Sequence, residues 1–136
     1  MRVNGKLWLP FGGITSPNLV GSYANGYVYI YSSKNKVKDI RSNIIISLYN
    51  NIYKEGTYAI KIDSGTMSEV YYTEIINANI DSNRFYVDTV HTGVLKILKL
   101  DTTNFIMAGT FQFDCYNKIR NQTVKITQGR FDIRYH

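Results

Sequence analysis

The last third of the chain alternates apolar and polar side chains more regularly than any other part. Between residues 105 and 116, one set of alternate positions holds Phe105, Met107, Gly109, Phe111, Phe113 and Cys115. The positions between them hold Ile106, Ala108, Thr110, Gln112, Asp114 and Tyr116. Because successive side chains of a β-strand point to opposite faces of a sheet, this pattern predicts a strand with one buried and one solvated face.

The segment that follows predicts a turn and a return strand. Residues 117–122 are polar and include Lys118 and Arg120. The apolar positions of the return strand are occupied by Val124, Ile126, Phe131, Ile133 and Tyr135. Gly129 interrupts this alternation, which predicts a β-bulge or a close approach of two backbones. We therefore expect a hairpin over residues 105–135.

Short runs of the same kind fill the rest of the chain, and no segment of useful length repeats apolar residues at helical spacing. The runs are Val3–Leu9, Tyr27–Tyr31, Asn43–Tyr49, Thr57–Ile62, Val70–Ile76, Phe85–Val87 and Val94–Leu100. Gly, Asn, Asp and Ser separate them, as is typical of sandwiches and barrels. We predict an all-β fold: a single-domain antiparallel β-sandwich or barrel of about 8–10 strands over residues 1–136.

The chain contains no apolar run of the roughly 18–20 residues that span a bilayer, so no membrane span is predicted. Residues 1–6 lack the apolar core of a signal peptide, and an exported precursor trimmed before Arg2 would leave such a start. Cys115 is the only cysteine, which excludes an intrachain disulfide and is compatible with either a reducing or an oxidising compartment.

The formal net charge of +6 favours acidic partners in general. The charges are spread along the chain, and the densest cluster is Lys34, Lys36, Lys38 and Arg41. We interpret this cluster as a solvated surface rather than a binding patch. Nucleic-acid binding would need cations interleaved with aromatic residues, and the segment Tyr27–Tyr31 contains none, so we expect no nucleic-acid partner.

Metal and cofactor motifs are missing from the sequence. His91 and His136 lie far apart, and neither has a histidine or cysteine at zinc-ligand spacing. Asp81-Ser82-Asn83 is too short for a calcium loop, and no phosphate-binding glycine loop is present. We expect no metal and no cofactor.

The sequence also shows no catalytic constellation. Cys115 ends an apolar strand face, which favours a core residue over a reactive thiol. Glu69 and Glu74 are five positions apart and should point to opposite faces of their strand. We interpret Asp114 and Asp132 as partners in cross-strand ion pairs. The chain is therefore expected not to be an enzyme, and a hydrolase that uses an unrecognised carboxylate pair is one alternative.

The aromatic residues are the remaining candidates for a site, since the chain has 12 Tyr, 6 Phe and 1 Trp. Tyr27, Tyr29 and Tyr31 share one strand face, with Val28 and Ile30 on the other. The three rings either form an exposed ladder that can stack on sugars or bases, or lie under a neighbouring loop with their hydroxyls at the rim. Trp8 alternates with Leu7 and Leu9 and is either a wall or a binding platform.

Two segments carry a resemblance to a known family. The first is Val3-Asn4-Gly5-Lys6-Leu7-Trp8 at the start of the chain. The second is Gly109-Thr110-Phe111-Gln112-Phe113 with the later segment that runs from Val124 to Ile133. Together they resemble a family of uncharacterised Bacteroidetes cell-envelope lipoproteins, a domain of unknown function with an N-terminal VNGKxW strand and a C-terminal GTFxF…VxITxGRFD hairpin. Leu95–Asp101 is similar to the strand that precedes this hairpin in the family.

The resemblance implies an exported protein, held at the periplasmic or outer-membrane surface by a lipid anchor upstream of this sequence. The family brings no known catalytic residues. We therefore expect a non-enzymatic cell-envelope domain with a binding or structural role, whose partner is a polysaccharide or another envelope protein. A carbohydrate-binding module that uses Trp8, Tyr27, Tyr29 and Tyr31 is the other main hypothesis.

Overall fold

The strands of this chain are short segments of alternating or wholly apolar sequence, and all of them join one antiparallel sheet. The computed structural model describes residues 1–10, 19–35, 41–75 and 83–135. Within these ranges the secondary structure consists of eleven strands. Their bounds are β1 Arg2–Val3, β2 Lys6–Leu7, β3 Leu19–Ala24, β4 Tyr27–Asn35, β5 Arg41–Tyr49, β6 Gly56–Ile60, β7 Glu69–Ile75, β8 Arg84–Tyr86, β9 Gly93–Asp101, β10 Ile106–Asn117 and β11 Gln122–Arg134.

The strand order is β2-β1-β11-β10-β8-β7-β5-β4-β3, with β9 paired to both β10 and β6. Strand β10 therefore has β11 along one edge, while its other edge is shared by β9 and, at Tyr116, by β8. The sheet curls into a half-barrel, and β3 approaches β11 across the open side. The predicted all-β class, a sandwich or barrel, is confirmed.

The C-terminal hairpin has the predicted faces. Met107, Phe111, Phe113 and Cys115 of β10 are buried, as are Val124, Ile126, Phe131 and Ile133 of β11. The register slips between Phe111, which lies opposite Gly129, and Phe113, which lies opposite Ile126. Thr127 and Gln128 of β11 thus oppose the single residue Gln112 of β10, and the bulge predicted at Gly129 is confirmed.

Phe105 does not belong to the apolar face of this hairpin. It lies in the turn before β10, has a φ of 57° and is 50% exposed. The carboxylate of Asp101 accepts hydrogen bonds from the backbone N–H groups of Thr103 and Asn104, which closes the turn before β10 begins. Local bonding of this kind competes with strand extension, and it explains why the alternation begins one position later than predicted.

The N-terminal run also differs from the prediction, because Val3–Leu9 is not one strand. Asn4 and Gly5 have φ values of 47° and 77° and form a two-residue turn between β1 and β2. Asn-Gly is the dipeptide best suited to such a turn, since both residues tolerate positive φ. This split adds one strand, and β3, where the sequence predicted no strand, adds another, so the nine predicted runs become eleven strands.

The concave side of the sheet holds the core. Its fully buried side chains include Ile30, Ile44, Ile46, Leu48, Ile60, Leu95, Ile97 and Met107. On the open side, Gly21 of β3 packs against Ile133 of β11, where an added Cβ would lie 2.7 Å from the Ile133 Cδ1 atom. Tyr23 and Tyr135 make an edge-to-face contact at 5.7 Å in the same region. Side chains rather than a hydrogen-bonded ladder therefore join β3 to β11 in the described structure.

Candidate functional site

A continuous group of tyrosines covers the convex side of four neighbouring strands. We call this surface the tyrosine face and define it by Tyr27, Tyr29 and Tyr31 of β4, Tyr49 of β5, Tyr71 of β7 and Tyr86 of β8. On β4 the intervening Val28 and Ile30 are fully buried, so the three tyrosines point outward. The strand order places these four strands side by side.

The strand register brings tyrosines together at two places on the tyrosine face. Tyr27 lies opposite Tyr49, and their rings stack with centroids 4.3 Å apart. Tyr71 lies opposite Tyr86, with ring centroids 5.6 Å apart. Tyr27, Tyr29, Tyr31 and Tyr71 are half-buried, whereas Tyr49 and Tyr86 are 52% and 40% exposed. All six tyrosines are thus at least partly exposed at this surface.

A strip of shorter side chains runs between the aromatic rows. Strand β5 contributes Asn43, Ile45 and Ser47, which lie opposite β4 on one side and β7 on the other. The Tyr27 hydroxyl is 3.2 Å from Ser47 Oγ, and the Tyr31 hydroxyl donates to Asn43 Oδ1 at 3.4 Å. These bonds orient two rings of the β4 row, because each ring is held at its hydroxyl as well as at its backbone.

Arg84 supplies positive charge at the β8 side of the tyrosine face. Its guanidinium carbon lies 4.5 Å from the Tyr71 ring centroid and 5.8 Å from that of Tyr86. Its Nη1 donates to the Tyr86 hydroxyl at 3.0 Å, and this bond raises the pKa of Arg84. The Nε of Arg84 is buried without a hydrogen-bond partner in the described structure. Arg84 therefore fixes both rings by cation–π contacts.

Two tyrosines of this surface have perturbed acidity. Burial raises the pKa of Tyr29, and the neighbouring Tyr27 and Tyr31 add to the effect. Burial also raises the pKa of Tyr71, more than the charge of Arg84 lowers it. Both hydroxyls therefore stay protonated at neutral pH and can donate hydrogen bonds to a ligand.

The aromatic surface continues onto β10 beyond the tyrosine face. Tyr116 lies opposite Tyr86, and its ring stacks on that of His91 with centroids 4.8 Å apart. The Asp88 carboxylate holds His91 in place, since Oδ1 accepts a bond from the His91 backbone N–H at 2.6 Å and lies 3.0 Å from Nδ1. His91 thus acts as a packed aromatic ring in this structure.

Trp8 lies apart from the tyrosine face, on the concave side of the sheet. It is only 4% exposed, and its Nε1 donates to Ser42 Oγ at 2.8 Å. Its ring forms part of the wall of a cleft of about 400 Å³ that Lys6, Lys34, Tyr72 and Glu74 also line. Of the two roles considered for Trp8, the structure therefore shows the wall and not the exposed platform.

Glu69 and Glu74, the two carboxylates that flank β7, lie on opposite faces of the sheet. Glu69 lies opposite Ser47, on the convex side, while Glu74 lies opposite the buried Ser42 and accepts a bond from Tyr72 at 2.9 Å. Hydrogen bonds outweigh the opposing effect of burial and lower the pKa of Asp88, and hydrogen bonds from Asn104 lower the pKa of Asp101, whereas a catalytic acid needs a raised pKa. No cluster of three potential metal ligands exists among the described residues.

The predicted ion pairs of the C-terminal hairpin are not formed. Asp114 lies opposite Lys125 and Asp132 opposite Ala108, but the salt bridges within the described ranges join Lys61 to Asp63 and His91 to Asp88. An exposed ion pair adds roughly 0–1 kcal/mol of stability, and the entropy lost in ordering two long side chains is enough to cancel this gain.

Cys115 is fully buried, and burial raises the pKa of its thiol, which fits the interpretation as a core residue.

The sequence placed Tyr27, Tyr29 and Tyr31 on one strand face, left open whether that face is exposed, and missed the other half of the tyrosine face. Tyr49, Tyr71, Tyr86 and Arg84 each lie in a separate run, and only the strand order shows that these runs are neighbours. The alternation within each run contained a usable signal. Tyr49 follows the buried Leu48 at the end of β5, and Tyr71 precedes the buried Tyr72, so both tyrosines occupy outward positions. Six positions considered above lie outside the described residues: Lys36, Lys38, Ile76, Asp81, Ser82 and His136.

Comparisons of this chain with models of protein families, with curated proteins and with solved structures find no match. The resemblance to Bacteroidetes lipoproteins therefore stays a prediction. In the parts of the chain that the structure describes, no helix has the length and apolar character needed to cross a membrane.

Proposed function

We propose that this chain is a non-enzymatic binding domain whose tyrosine face binds a polysaccharide. The observation that carries the proposal is the gathering of six outward tyrosines on four neighbouring strands. Soluble proteins bury most aromatic surface or use it for recognition, and a contiguous group of this kind is a marker of a binding surface.

The chemistry of the face suits sugar rings. A pyranose has an apolar C–H side that packs on an aromatic ring and an equatorial rim of hydroxyls that exchange hydrogen bonds. Tyrosine offers both an apolar ring and a polar tip. Alternate residues of a strand are separated by roughly 6.5–7 Å, so Tyr27, Tyr29 and Tyr31 can address successive parts of one extended chain.

The strip on β5 supplies the complementary polar groups. Ser47 and Asn43 lie between the β4 row and Tyr71, and their side chains can exchange bonds with sugar hydroxyls that point toward the sheet. Arg84, at the β8 side, adds a donor beside Tyr71 and Tyr86. A few polar groups placed among aromatic rings are what orients a ligand at a mainly apolar site.

The test is affinity electrophoresis of the intact chain in gels that contain neutral polysaccharides, with calorimetry on oligosaccharides of those that retard it. Tyr29→Ala and Tyr71→Ala should each weaken binding by roughly 0.5–1.5 kcal/mol, about two- to tenfold, because each removes one stacking ring. Phe105→Ala is the matched control, since it removes an exposed ring from the turn before β10.

The outcomes separate the hypotheses. Equal retardation of the wild type, both tyrosine variants and the control would remove the tyrosine face as the site. Release of reducing ends from a retained polysaccharide would show a hydrolase instead. Unchanged circular dichroism and melting temperature of each variant would show that loss of binding is not loss of fold.

We further propose that the domain is exported and attached to the cell envelope, where it meets a polysaccharide or another envelope protein. The support is the resemblance of Val3–Trp8 and of the C-terminal hairpin to envelope lipoproteins. Fractionation of cells that express the complete gene, with protease treatment of intact cells, tests this location. Recovery of the protein with the cytoplasmic fraction would contradict it.

A further inference from the structure

A second recess lies on the convex side of the other branch of the sheet, away from the tyrosine face. This cleft has a volume of about 510 Å³ and is formed by β6, β9, β10 and β11. We call it the basic cleft and define it by Thr57, Lys96, Thr110, Gln112, Gln128 and Arg130. Strands β4, β5 and β7, which carry most of the tyrosine face, contribute none of these residues.

The strand register places two cations on either side of a small hydroxyl residue. Thr110 of β10 lies opposite Lys96 on β9 and opposite Arg130 on β11. Lys96 in turn lies opposite Thr57 of β6. Since neighbouring strands are roughly 4.8 Å apart, Lys96 and Arg130 are separated by about 10 Å at their backbones. Their long side chains can therefore reach one group bound above Thr110.

The bulge in β11 borders the cleft, because Gln128 and Gly129 both line it. Gly129 has no side chain, and the buried Phe111 ring fills the space below it, so an added Cβ would lie 2.4 Å from Phe111 Cε2. Gln128, with a φ of 55°, absorbs the extra residue. An added Cβ at position 129 would point toward the buried Phe111 ring and the core.

Among the residues that the structure describes, no carboxylate pairs with the two cations of the basic cleft. Lys96 and Arg130 are exposed, and neither takes part in a salt bridge with the described carboxylates. The described residues that line the cleft include no Asp or Glu. Two positive groups facing one recess repel each other, and an anion placed between them relieves this repulsion.

We propose that the basic cleft binds an oxyanion group: the carboxylate of an acidic sugar or a free inorganic oxyanion. The Arg130 guanidinium contacts two oxygens of the anion, because its planar fork matches their spacing. Lys96 approaches from the opposite side, and the Thr110 hydroxyl donates from below. The amides of Gln112 and Gln128 contact the hydroxyls next to the anionic group.

The test uses the full chain, labelled with ¹⁵N and titrated at low ionic strength with sodium sulfate, sodium phosphate, oligogalacturonate and a neutral galactose oligomer. We expect saturable shifts of the backbone amide signals of Lys96, Thr110 and Arg130 with the anions, and a loss of affinity as sodium chloride is added. Tighter binding of oligogalacturonate than of the inorganic ions identifies an acidic sugar, and equal affinity identifies a free ion.

Three variants make the assignment specific. Lys96→Ala and Arg130→Ala should each weaken anion binding about tenfold, since each removes a charged donor. Lys118→Ala removes the same charge from the β10–β11 turn and should leave the affinity unchanged. An equal loss in all three variants, or no saturable shift in the wild type, would overturn the proposal. Neutral-polysaccharide binding at the tyrosine face should persist in Lys96→Ala and Arg130→Ala, so the two proposals fail separately.

Discussion

At the scale of single residues, short polar side chains decide where this chain turns. Asn4, Asn25, Asn51 and Asn121 all have positive φ values, which asparagine tolerates better than most residues. Asn4 and Asn25 are each followed by a glycine and close two-residue hairpin turns. Asp88 and Asp101 close other turns by accepting backbone N–H bonds. Such signals are local, so the sequence contains them in full.

Asp88 gives a pH prediction. Partial burial acts to raise its pKa, but bonds from the backbone N–H groups of Val90 and His91 and from the His91 ring outweigh it, so the pKa of Asp88 is lowered. A carboxylate with a lowered folded-state pKa contributes stability that is fully present above its unfolded pKa of about 3.9 and is lost as the pH falls through the folded value. We expect the free energy of unfolding of the wild type to fall toward that of Asp88→Asn as the pH drops below about 4.

The measurement is urea unfolding of the wild type and of Asp88→Asn at a series of pH values between about 7 and 3, a range that brackets the unfolded-state pKa. Asp63→Asn is the control, because Asp63 makes only a long exposed ion pair with Lys61 at 3.9 Å. A stability difference between wild type and Asp88→Asn that does not change with pH would show that the turn bonds do not depend on the charge of Asp88.

At the scale of elements, the β10–β11 hairpin combines a regular alternation of apolar residues with a bulge. The sequence shows the alternation in full but indicates the bulge only by a glycine. The alternation of Phe111, Phe113 and Cys115 predicted the buried face, because each side chain of a strand has a face set by its position. Gly129 marked the bulge. That the Phe111 ring packs against Gly129, and that Lys96 and Arg130 flank Thr110 at the basic cleft, depends on the register between neighbouring strands.

The bulge gives a prediction at this scale. Gly129→Ala should destabilise the protein by roughly 1–3 kcal/mol, because its Cβ would overlap the buried Phe111 ring and force the core to shift. Phe111→Leu shortens the opposing side chain. The double variant should therefore be less destabilised than the sum of the two single variants, and guanidinium unfolding of all four proteins measures this coupling. Additive effects would show that Gly129 and Phe111 do not press on each other.

At the scale of the whole molecule, the strands of the half-barrel differ in how many neighbouring strands pair with them. Strand β5 is paired on both sides by β4 and β7, and β10 is paired by β11 and β9. Strands β2 and β6 each have one partner and lie at edges. Stability in a folded protein is graded in this way, since edge elements open without the rest.

Native-state hydrogen exchange should reproduce this gradient. The backbone amides of Ile44, Ile46, Phe111 and Phe113 are expected to exchange slowest, with opening free energies near that of global unfolding. Amides of β2 and β6 should exchange much faster, through local opening that is insensitive to denaturant. Equal protection of β6 and β10 would contradict the topology, because β6 depends on β9 alone for its ladder.

What the sequence determined by itself was everything that depends on a residue and its near neighbours along the chain. This includes the all-β class, the two faces of residues 106–116, the bulge at Gly129 and the shared strand face of Tyr27, Tyr29 and Tyr31. The tertiary structure alone decided three other features. It placed Tyr49, Tyr71 and Tyr86 next to that row, Trp8 on the concave side of the sheet, and Lys96 and Arg130 on either side of Thr110. The physical reason is that strand pairing sets which distant residues become neighbours, and one residue of register moves a side chain to the other face.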